Sequence, residues 1–165
     1  MPKPTTQGPT ATRVKQPNSR QCFVCGLENS YGLQLAFYET AAGEVAAEYA
    51  VPERYQGFPG VVHGGLVAAM LDEAAGRAAM TGDEGRFMVT ARLEVSYRQP
   101  VPVGAPLLLT GALLRRRGRL ATANAELILP DGTLAANAEV LLADLPGPRA
   151  GFEQLEGLGW KVYPD

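Results

Sequence analysis

Through the middle of the chain, apolar and polar side chains alternate in short runs parted by glycine and proline, and one longer stretch is apolar nearly all the way round. Residues 32–39 and 44–51 alternate partially on either side of Thr40-Ala-Ala-Gly43, which predicts two antiparallel strands and a short turn. Pro52 to Val62 is rich in turn formers and leads into His63-Gly64-Gly65, after which the sequence to Met80 has no breaker except Gly76, so one helix is expected there. Beyond Gly82-Asp-Glu-Gly85, a strict period of two places Phe87, Val89, Ala91, Leu93, Val95 and Tyr97 on one face of a strand. Three more strands follow over residues 107–114, 120–129 and 133–143, parted by Arg115-Arg-Arg-Gly-Arg119 and Pro130-Asp-Gly132.

The predicted helix decides the architecture. Six of its positions are alanine, and a helix apolar on every side is buried rather than laid on a surface. Its small side chains call for close wrapping. An antiparallel sheet with one face to cover, and one buried helix to cover it, is an α+β solution in which the sheet curls around the helix.

At 165 residues and 46% apolar composition, the chain fits a single domain. Residues 1–20 carry four basic groups, no acid and four prolines, and read as a disordered basic tail. The folded domain is then expected over 21–144, with a C-terminal appendage over 145–165 after the Leu145-Pro-Gly-Pro-Arg149 break. A net charge of −2 offers no broad positive field, so nucleic acid is not expected as a partner. No apolar run has membrane-spanning length and no signal-peptide core is visible, so the expected location is the cytoplasm, with no membrane partner.

Three charges interrupt the apolar helix. Glu73 and Arg77 are four apart and can pair, whereas Asp72 has no cation three or four positions away and must find another partner or a function. Gly64 and Gly65 open the helix, where amides without intrahelical acceptors and the helix dipole suit an oxyanion. The plain reading of the glycines is a tight turn. Eight residues place Gly64 and Asp72 roughly 12 Å apart along the axis, so one reacting carbon cannot touch both from the same chain. If both act, they come from two chains whose helices run antiparallel across a dimer contact.

The run Gly60-Val-Val-His-Gly-Gly-Leu-Val-Ala-Ala-Met-Leu-Asp-Glu-Ala-Ala-Gly76, with Met88 to Gly104 after it and Cys22-Phe-Val-Cys-Gly26 before it, resembles the hotdog-fold acyl-CoA thioesterases of the phenylacetate-pathway type. The resemblance covers about residues 22–143. It implies an acyl-CoA substrate, a homodimer or a dimer of dimers, and a reaction that needs no metal or organic cofactor. It also implies Asp72 as nucleophile or general base, Gly65 as the polarising amide, His63 as the motif histidine beside Gly64, and Thr90 as a hydroxyl orienting water. Some relatives carry Asn or Gln at the position of Gly57, and Gln56 is the neighbour able to substitute. Arg117 and Arg119 of the arginine-rich turn, with Arg92 or Arg98, are the groups expected to grip coenzyme A phosphates; a solvated turn is their plain alternative.

Two other readings stay open. A hotdog dehydratase or hydratase would need an acid/base pair around His63, the only histidine. A catalytically silent module would bind acyl-CoA or scaffold a complex. Cys22 and Cys25 have the spacing of a redox pair or of half a zinc site, whose remaining ligands could come only from a second chain; the plain reading is two semi-buried thiols.

Overall fold

The computed structural model describes residues 13–165. Seven strands, β1 (Val14–Lys15), β2 (Tyr38–Ala41), β3 (Glu44–Ala50), β4 (Met88–Tyr97), β5 (Pro106–Arg117), β6 (Leu120–Ile128) and β7 (Leu134–Asp144), form one antiparallel sheet in the order β1-β2-β3-β5-β6-β7-β4. The sheet wraps the long helix α1 (Gly64–Ala79), and a short helix α2 (Phe152–Gly157) follows. This is the expected α+β hotdog arrangement. Close wrapping follows from small residues on both surfaces: Ala74, Ala75 and Ala78 of α1 meet Ala123, Ala125 and Ala138 of the sheet, all at most 2% exposed. At Gly111 of β5 the approach is tightest, since a Cβ built there would lie 2.2 Å from the Ala74 carbonyl oxygen.

The basic-tail reading needs correction over 13–20; residues 1–12 lie outside the described part. Val14–Lys15 pairs with β2, and Gln16 and Asn18 are fully buried. Asn18 Nδ2 donates to the carbonyls of Cys25 and Leu35 at 2.8 Å each, and Gln16 Nε2 donates to the carbonyl of Arg77 at 3.1 Å. Side-chain amides dock this segment in place of apolar bulk, which is why its composition resembled a tail. The first predicted strand also shortens. Leu33, Leu35 and Phe37 alternate into the core as the pattern required, but the backbone over 33–35 bonds to Phe23 and Val24 and enters the sheet only at Tyr38.

A bulge between Thr90 and Arg92 breaks the period-two reading of β4. Leu93 and Val95 pack on the core, whereas Val89, placed on the same face by the sequence, is 45% exposed. Before the bulge the inward residues are Met88 and Thr90. The appendage docks through Leu155, which is buried, and Trp160, whose ring meets Phe87 edge to face at 5.2 Å and whose Nε1 donates to the carbonyl of Glu84.

Candidate active site

Asp72 lies midway along α1, half-buried, and forms no ion pair among the described residues. Its Oδ1 accepts a hydrogen bond from Thr90 Oγ1 at 2.6 Å. The bulge in β4 makes this contact possible, because it lets Thr90 face the helix while the apolar residues beyond it return to the core. Burial raises the Asp72 pKa above the ordinary carboxylate value; the Thr90 hydrogen bond works against this, and the neighbouring Glu73 charge adds to it. The carboxylate borders a cleft of about 450 Å³ whose apolar wall includes Met80, Phe87, Met88 and Trp160.

Glu73 and Arg77 pair as their spacing required, at 2.9 Å between Arg77 Nε and Glu73 Oε1. The pair is not a surface one. Arg77 is 3% exposed, donates to the carbonyl of Pro17 and stacks over Phe37 and Trp160 at 5.4 and 4.9 Å, so it pins both chain ends to α1. A lone arginine inside an apolar helix was the signal for this role. Cys22 and Cys25 border the same cleft. The Cys22 thiol is lowered to about 6, chiefly by its hydrogen bond with the Cys25 thiol, and Cys25 is raised by the same bond and by burial.

The glycine end of α1 differs from the expectation of bare amides. His63 caps the helix: its Nδ1 accepts from Gly65 N at 3.0 Å, and its own N–H donates to the carbonyl of Tyr55. Gly64 N–H has no partner among the described residues, and the Gly64 carbonyl accepts from Tyr97 Oη at 2.7 Å. His63, Gly64, Tyr97 and Arg98 border a second cleft of about 700 Å³, separate within one chain from the cleft at Asp72. Tyr97 was not among the candidate site residues, because the alternation marked it only as part of the apolar face of a strand.

Gln56 does not reach Asp72. Its Oε1 accepts from Gly60 N at 2.9 Å and closes its own loop, while Gly57 lies against His63. The arginines also disperse. Arg98 stands at the glycine end and bonds Asn137; Arg92 of β4 is exposed and 3.8 Å from Glu139 of the adjacent β7; Arg117 ends β5 at the far end of α1; Arg119 borders a third cleft with Arg86 and Asp144.

A family model described as the thioesterase superfamily matches residues 59–136, which contain α1, Asp72, Thr90 and the glycine end. Over those residues the chain is similar to that superfamily, and its antiparallel sheet wrapped around one long helix is the hotdog fold. Acyl-coenzyme A thioesterase THEM4 of Rattus norvegicus is 32% identical over 108 residues, covering 65% of this chain and 46% of that protein. The chain thus spans about half the length of that relative. A solved thioesterase superfamily protein is 34% identical, with a TM-score of 0.69, covering 76% of this chain and 61% of the other. The Escherichia coli PaaI protein of the phenylacetic acid degradation operon superposes with a TM-score of 0.63 over 70% of this chain and 82% of its own, at 16% identity, a likeness of fold alone.

Proposed function

We propose that this chain is an acyl-CoA thioesterase in which Asp72 drives hydrolysis at a site shared between two copies. The observation that carries the proposal is the state of Asp72: a half-buried carboxylate with no ion-pair partner among the described residues, held by one threonine hydroxyl and facing a cleft with one apolar wall. A structural carboxylate in such a place would be paired. One left unpaired, and oriented by a single donor, can attack a thioester carbonyl or take a proton from water. The names of the relatives, an acyl-coenzyme A thioesterase among them, support the same substrate class.

Charge develops on the carbonyl oxygen as the tetrahedral intermediate forms, and an amide at a helix N-terminus stabilises it. Gly64 is exposed and its N–H has no partner among the described residues; Gly65 N–H joins it when the oxyanion, a stronger acceptor than a neutral imidazole, displaces His63 Nδ1. Because these amides and Asp72 border separate clefts in one chain, each site takes the carboxylate from one copy and the glycine end from the other. The unpaired outer edge of β4, the exposed Phe58 and Tyr97, and the exposed glycine end provide the surface for that pairing. Antiparallel pairing also gathers the arginines. Arg98 and Arg117 lie at opposite ends of a helix about 24 Å long, but pairing Gly65 with the opposite Asp72 brings Arg98 of one copy towards the Arg117 turn of the other.

The test is release of free coenzyme A thiol from short, medium, long and aryl acyl-CoAs by wild type and Asp72→Asn. The variant should retain its circular dichroism spectrum and lose at least about 10²-fold in kcat/KM. Equal turnover by both proteins would remove Asp72 from the chemistry. No release from any ester would leave a binding or scaffolding module.

A further inference from the structure

The folded chain brings Cys22 Sγ, Cys25 Sγ and a Glu73 carboxylate oxygen within 4.8 Å of one another. We propose that these three residues form a zinc-class divalent cation site that clamps the 19–26 segment onto α1, beside Asp72. The sequence supplied two thiols and left the remaining ligands to a second chain; folding supplies the third donor from this chain's own helix.

Several independent features of the cluster suit a metal. The Cys22-Phe-Val-Cys25-Gly26 segment is a tight turn in which Gly26 N donates to the carbonyl of Cys22 at 2.9 Å and Cys25 N donates to Cys22 Sγ at 3.4 Å. An N–H···S bond holds a sulfur in place and disperses thiolate charge. Glycine is required at 26, since a Cβ there would lie 2.3 Å from the Cys22 carbonyl oxygen, and this close approach closes the turn that carries both thiols. A tetrahedral ion with Zn–S of about 2.3 Å and Zn–O of about 2.1 Å would hold its donors about 3.5 to 3.8 Å apart, inside the 4.8 Å within which they now lie.

Charge and polar satisfaction point the same way. Two thiolates and Glu73 carry three negative charges, and the buried Arg77 returns one, leaving two for a divalent cation to neutralise. Arg77 Nη2 is buried and has no hydrogen-bond partner among the described residues, a donor that suits a corner of the core carrying anionic sulfur. Glu73 gives Oε1 to Arg77, while its other oxygen has no partner among the described residues and is available to the ion. The cleft beside the donors leaves room for a water as fourth ligand.

The experiment uses the full-length chain, reduced and stripped with a chelator, and titrated with Co(II) as a spectroscopic probe. One equivalent should produce thiolate-to-cobalt charge-transfer absorption in the near ultraviolet and the visible bands of a four-coordinate ion, both lost when Zn(II) is added. Cys22→Ser should lose much of the charge-transfer intensity. Glu73→Gln should keep it and bind at least about tenfold more weakly. Zinc should raise the melting temperature of wild type and not of Cys22→Ser, which keeps the test open if Cys25→Ser fails to fold. A folded, reduced wild type without charge-transfer bands, or bands indifferent to Cys22→Ser, would overturn the site, and affinity indifferent to Glu73→Gln would remove Glu73 from it. None of these readings measures ester hydrolysis, so their failure and that of the thioesterase proposal are separately visible.

Discussion

At the scale of single residues, the contrast between Asp72 and Glu73 shows how one helix assigns opposite tasks to adjacent carboxylates. About 100° of rotation per residue turns Glu73 to Arg77 and Asp72 to β4. The need of Asp72 for something other than a salt bridge was legible from spacing alone, because no cation lies one turn away. The identity of its partner was not, because Thr90 comes from a strand 18 residues further on. Thr90→Val keeps the shape and removes the hydroxyl that orients the carboxylate. It should lower kcat about tenfold with KM nearly unchanged, while Thr90→Ser retains most of the activity; steady-state kinetics on one acyl-CoA decides this. His63 accepts from Gly65 N, so of the two glycine amides that open α1 only that of Gly64 is without a partner among the described residues.

At the scale of elements, alternation correctly marked which residues of 33–37 are buried, yet did not say what the backbone bonds to. Burial follows side-chain chemistry, whereas pairing depends on which segment arrives alongside, here the 22–25 turn. For β4 the period itself failed, since one bulge residue reverses the face and no side-chain pattern announces it. The fit of β5 to α1 provides a stability test. Gly111→Ala puts a methyl against the Ala74 carbonyl, a backbone atom that cannot swing aside, and should cost about 1–3 kcal/mol in urea unfolding. An alanine in place of Gly118, whose Cβ would meet nothing within 4 Å, is not subject to that clash and suffers only from the positive φ of its turn.

For the whole molecule, the buried Arg77 ties together segments far apart in sequence. Pro17, Phe37 and Trp160 all meet its guanidinium, so both chain ends close over the cleft beside Asp72. Assembly of two copies is open to a complementation test. Asp72→Asn and Gly65→Pro, the latter losing the Gly65 N–H together with its bond to the His63 cap, should each be nearly inactive as pure proteins. After unfolding and refolding together in equal amounts, half the dimers are mixed, and each mixed dimer holds one site with neither defect. Coenzyme A release should then return to about a quarter of the wild-type value. A mixture no more active than its parents would show that each site is built from a single chain.

The sequence by itself determined the helix and its burial, the run of antiparallel strands around it, and the acid within it that has no cation one turn away, because these depend on periodicity, side-chain size and one-turn spacing, all local properties. Only the tertiary structure decided which groups that acid and its neighbours meet. Thr90, the two cysteines, Gln16 and Trp160 approach α1 from separate parts of the chain, and such meetings depend on the path of the backbone, including one bulge and one tight turn, as much as on the residues themselves.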